Sequence, residues 1–182
     1  MLFYARSLQK AAKILLDALD EKPNELTAWD AVPILSLYRA TVEIHLKGLV
    51  GEGCNFLPVP TDYISIAKTR SLRWLAQITC QIIRTLQWED EFTCEGTASL
   101  EAFGALVNEL EMLDPVPFLT FSAARDGSVP RPLQAPQIRR LAERLDSLLN
   151  LLSVTADTLA ATRDLEEQGF IVGDGKSKPT IH

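Results

Sequence analysis

Histidine, cysteine and methionine are scarce, at 2, 3 and 2 residues in a chain of 182. With only His45 and His182, a histidine-built metal centre is not expected. Cys54, Cys80 and Cys94 lie too far apart for the CxxC pairs of a zinc ribbon. No GxSxG, P-loop, dinucleotide fingerprint or HExxH is present, so neither a metal nor a cofactor is expected. Long apolar runs are missing too. The opening MLFYARSLQKAAKILLDALDEK carries Arg6, Lys10, Lys13 and Asp17 at helical spacings, a pattern that fits neither a secretory h-region nor a membrane span. An odd cysteine count without a secretory leader points to reduced thiols and a cytoplasmic protein with no membrane partner. An excess of basic residues is also lacking. The 18 Lys+Arg and 24 Asp+Glu leave a net charge of −6, whereas a protein that coats nucleic acid neutralises phosphates with a basic surface. The balance argues against that role and leaves room for a local basic patch.

Hydrophobic residues make up 47% and charged residues 23% of the chain, as in an ordinary globular domain. At this length folding buries roughly 70% of the surface of the unfolded chain, enough for one core without a staple. Leu8, Ala11, Ala12, Leu15, Leu16 and Leu19 form a helical stripe, ended by Lys22-Pro23-Asn24. A second helix runs to Val50 from near Ala28, or from near Ala31 with Pro33 in its first turn. Gly51-Glu52-Gly53 follows, where a glycine in the left-handed conformation would cap it. A third helix is expected from Asp62 to about Leu86, then an acidic loop over 89–96, then a fourth helix, Leu100–Leu113, capped by Ser99 and stopped by Asp114-Pro115. Pro115, Pro117, Pro130, Pro132 and Pro136, with Asp126-Gly127, mark a small hairpin-like insertion. A last helix spans Gln137 to about Asp164. The expected fold is an all-α, up-and-down bundle of about five helices, a single domain over residues 1–163, with a flexible tail over 164–182.

The second helix carries the candidate chemistry. With Arg39 at zero on a helical wheel, Glu43 falls near ~40° and Lys47 near ~80°, while the arc from ~100° to ~340° is almost wholly apolar. This describes a central helix with a narrow charged ridge of i, i+4 neighbours. Two readings of the ridge stand: a solvated or covered salt-bridge ladder, or an anion site in which Arg39 holds a phosphate and Glu43 fixes its guanidinium. His45 falls near ~240°, on the apolar arc with Tyr38; it is a hydrogen-bonded core residue or, near neutral pH, a general base. On the third helix, Arg70, Arg73 and Trp74 are a solvated face with a core indole, or a contact for an acidic partner or a base. Arg125, Arg131, Arg139 and Arg140 are the densest basic stretch.

The segment Ala31-Val-Pro-Ile-Leu-Ser-Leu-Tyr-Arg-Ala-Thr-Val-Glu-Ile-His-Leu-Lys-Gly-Leu-Val50 resembles the signature helix of HEPN-type (higher eukaryotes and prokaryotes nucleotide-binding) helical proteins. Leu113-Asp114-Pro115-Val116-Pro117-Phe118 and the long final helix are similar to the back half of one subgroup. The resemblance implies a helical bundle, commonly a homodimer, in a prokaryotic defence or toxin–antitoxin system. Active members are metal-independent ribonucleases with an Arg-x4–6-His motif, a spacing that Arg39 to His45 fits. By that resemblance His45 would take the proton of a ribose 2′-hydroxyl and Arg39 would stabilise the scissile phosphate. Glu43, Lys47, Tyr38, Arg70 and Arg73 are the candidate RNA-contacting residues around them. The chain differs from the subgroup at Ala40, at Arg70-Ser71-Leu72 and at Thr120-Phe121-Ser122. Arg39 and His45 diverge by ~120° on one helix, so a joint site would form across a dimer. Two functions are expected: an RNA-binding or RNA-cleaving protein, or a non-catalytic helical module with a protein partner.

Overall fold

The computed structural model describes residues 2–21, 31–58, 63–113 and 135–167. Among them it is an all-α bundle: α1 (Leu2–Glu21), α2 (Ala31–Gly53), α3 (Tyr63–Lys68), α4 (Leu72–Leu86), α5 (Leu100–Met112) and α6 (Ala135–Glu167), with a 3-10 turn at Cys54–Phe56. No strand occurs among the described residues; Cys94 and Thr97 form an isolated bridge. Among the same residues, no helix is long and apolar enough to cross a membrane. The hairpin expected after Leu113 lies outside the described residues, except that Ala135 and Pro136 already open α6. α6 continues through Glu167, so residues 164–167, expected in the tail, are helical; 168–182 lie outside the described residues.

α2 is the axis of the bundle. It packs against α1, α6, α4 and α3, and Ile34, Tyr38, Val42, Leu46, Leu49 and Val50 are wholly buried along it. Its periodicity requires this, since a helix apolar around most of its circumference is stable only when neighbours cover several faces. The end of α2 differs from expectation. Gly53 is right-handed, at φ −91°, and its small size serves packing instead. A Cβ there would come within 2.8 Å of Ile82 Cγ2, 2.9 Å of Ile82 Cδ1 and 3.3 Å of Leu159 Cδ1. A left-handed cap does occur on α4, at Gln87 with φ 59°. There the Trp88 amide reaches back to the Ile83 carbonyl at 3.0 Å, which closes the last turn.

The third helix expected from Asp62 to Leu86 is two helices, broken at Thr69-Arg70-Ser71. The break is built from side chains. The Ser71 amide donates to Thr69 Oγ1 at 3.2 Å. Ser71 Oγ accepts from the Trp74 amide at 3.2 Å, as an N-cap. Glu111, on α5, accepts from the Leu72 amide at 2.9 Å and the Arg73 amide at 3.1 Å. The otherwise unpaired first-turn donors of α4 are thus satisfied, partly from another helix. The acidic loop has an aromatic anchor: Phe92 is buried and meets Phe103 of α5 edge-on, with ring centroids 5.3 Å apart.

Candidate functional site

The charged ridge of α2 faces the α3–α4 corner. Glu43 accepts through one oxygen from Arg39 Nη1 at 3.2 Å and through the other from Lys47 Nζ at 2.8 Å. Arg39 Nη2 also donates to the Arg70 carbonyl at 2.8 Å, and Lys47 Nζ to the Ala67 carbonyl at 3.0 Å. The three side chains are 15–16% exposed, so the ladder is covered rather than bathed in bulk water. Each cation spans one carboxylate oxygen and one main-chain oxygen. Ala67 lies in the last turn of α3, at the negative end of the helix dipole, where a carbonyl favours a cation. The ladder therefore clamps α3 and the corner onto α2. A phosphate at Arg39 would have to displace these bonds and lie beside the Glu43 carboxylate.

His45 is 6% exposed, and its Nδ1 sits 2.9 Å from the Thr41 carbonyl. A carbonyl only accepts, so Nδ1 is the donor of this bond. Thr41 Oγ1 in turn donates to the Leu37 carbonyl at 2.7 Å. Tyr38 is wholly buried, and its hydroxyl makes no hydrogen bond of ordinary geometry. Burial first, then the Asp146 carboxylate on α6 and Asp17 on α1, holds its phenol far above its usual 10.0.

Of the candidate residues, the structure brings together Arg39, Glu43, Lys47 and the main chain of Arg70. His45 and Tyr38 belong to the core of α2. The Arg73 side chain lies instead in a groove of about 640 Å³ between α4 and α5, with Gln77, Arg84 and Asn108. Cys80 lines the same groove, and burial, partly offset by Arg84, pushes its thiol up, away from the reactive thiolate. A second hollow of about 440 Å³ runs between the acidic loop and α6, walled by Trp88, Cys94, Asn150 and Thr155. Sequence reasoning missed Glu111 and Asp146. Asp146 accepts from Gln9 Nε2 at 2.6 Å and pairs with Lys13 at 3.2 Å, joining α1 to α6. Neither carboxylate belongs to a motif, and no local signal marks them.

No family model, curated protein or solved structure matches this chain. The chemistry available is therefore what the geometry offers: a covered ladder of two cations on one carboxylate at one side of α2 and an enclosed imidazole at another. Arg39 and His45 diverge by ~120° around α2, and each makes its hydrogen bonds to different partners.

Proposed function

We propose that this chain is a non-catalytic helical interaction module, a subunit or regulator of an assembly of the defence or toxin–antitoxin kind. The observation that carries the reading is the engagement of both candidate catalytic residues inside the fold. Arg39 spends its terminal nitrogens on Glu43 and the Arg70 carbonyl, and His45 is enclosed against Thr41. The acidic net charge of −6 further weakens any affinity for a polyanion.

The test is incubation of the purified protein with a generic RNA in EDTA, beside His45→Ala. Intact RNA with both proteins, or identical slow cleavage by both, is the expected result. Cleavage by the wild type that is lost in a folded His45→Ala variant overturns the reading and restores the ribonuclease.

A further inference from the structure

The groove of about 640 Å³ between α4 and α5 is lined by no carboxylate. With Arg73 at zero on a helical wheel, Arg84 falls near ~20°, Gln77 near ~40° and Gln81 near ~80°, so four exposed side chains stand in one row along α4. Asn108 lines the same groove from α5. None of the five side chains makes a hydrogen bond or an ion pair among the described residues. The floor is low, with Ala76 and Gly104 in it, and nothing lies within 4 Å of a Cβ built at Gly104. The two ends carry opposite charge. At the Arg73 end, Lys68 and Arg70 of the α3–α4 corner are exposed and form no ion pair among the described residues. Glu111 is the carboxylate there, and its two oxygens hold the Leu72 and Arg73 amides. At the other end Arg84 shares a hollow with Glu89, Asp90 and Glu101, none of them in an ion pair among the described residues. Cations outnumber carboxylates at the first end, and carboxylates outnumber cations at the second.

Resting on the interaction-module reading, we infer that this groove binds an extended peptide segment of a partner protein, with an acidic side chain at the Arg73 end and a basic one about five residues along, at the Arg84 end. The spacing follows from the helix. Arg73 and Arg84 lie about 16 Å apart along the axis of α4, which is the reach of about five residues of extended chain. The amides of Gln77, Gln81 and Asn108 select the backbone shape. Each offers both donors and an acceptor, and an extended segment leaves its own N–H and C=O groups open to them. A helical segment closes those groups on itself and would bring nothing for the amides to bind. At the Arg73 end a guanidinium fork matches a carboxylate with two parallel bonds. At the far end Glu89, Asp90 and Glu101 favour a cation and repel a second acid. A nucleic-acid backbone, negative along its whole length, suits only one of these ends.

The experiment pans random dodecapeptides displayed on phage against the immobilised full chain, then measures the synthetic consensus peptide by fluorescence anisotropy. Enriched sequences are expected to carry an acidic and a basic residue about five positions apart. Gly104→Phe sets a ring into the open space above the floor. It should abolish binding while the urea midpoint holds or rises, since glycine is the weaker helix former. Arg73→Glu, at an exposed position, tests the contact without touching the floor. It should weaken binding about tenfold, and a peptide with its acid exchanged for lysine should recover the loss. Failure to enrich any peptide overturns the inference, as does enrichment without the paired charges. So does a consensus peptide that binds folded Gly104→Phe or Arg73→Glu as tightly as the wild type. A generic RNA oligonucleotide that displaces the peptide would hand the groove to nucleic acid and overturn the peptide occupant. None of these outcomes bears on RNA cleavage in EDTA, so the module reading stands or falls separately.

Discussion

Gly48 and Gly53 occupy the same helix and call for opposite treatment. Nothing lies within 4 Å of a Cβ built at Gly48, so the position carries only the entropic cost of glycine in a helix. Gly48→Ala should therefore raise stability by about 0.5–1 kcal/mol. At Gly53 the same methyl meets Ile82 and Leu159, and Ile82 is itself fully buried. Gly53→Ala should lower stability by about 1–3 kcal/mol through overpacking. Urea titrations of the two variants check the signs. In the sequence, Gly53 looked like a cap because glycine after a long helix is the usual signal for one. What selects it is the approach of two later helices, and nothing near residue 53 records that. His45 shows a similar limit: its apolar arc was legible, but which carbonyl its ring would meet depended on its rotamer.

Among the elements, the division between α3 and α4 is the most informative departure. Thr69-Arg70-Ser71 contains neither proline nor glycine, so a reading by periodicity runs through it. The stop is made by Ser71 turning its side chain to the Trp74 amide and by Glu111 arriving from α5. Only the first is local. Glu111→Ala should cost about 1–2 kcal/mol, in the range for losing a helix cap, and should speed hydrogen exchange at the Leu72 and Arg73 amides before others in α4. The helices α1, α2, α5 and α6 were readable because each carries a sustained stripe of apolar residues. The i, i+4 ladder of Arg39, Glu43 and Lys47 was readable for the same geometric reason. That its cations would close on the Ala67 and Arg70 carbonyls was not, because that contact exists only once the corner has folded back.

At the scale of the whole molecule, stability should depend on alkaline pH through Tyr38. Its phenol sits where α2 faces carboxylates of α1 and α6, and its folded value lies above the 10.0 of the free group. Between those two values the unfolded chain ionises this tyrosine while the folded chain does not. The unfolded state then binds fewer protons, so the contribution is intact below pH 10.0 and stability falls as pH rises beyond it. Urea midpoints measured on either side of that pH should show the fall, and Tyr38→Phe should flatten it. The bundle class and the central place of α2 were both legible, since a helix apolar on nearly all sides has few other places to go.

The place of α2 also governs how the molecule is made. Among the described helices it is second in chain order, yet one of those that enclose it, α6, is the last. A nascent chain already extended to Met112 still leaves uncovered the side of α2 that α6 will occupy. At ordinary rates of elongation that surface waits several seconds at the ribosome before its cover is synthesised. During that interval the growing polypeptide is at its most vulnerable to capture by chaperones or to adhesion with its siblings.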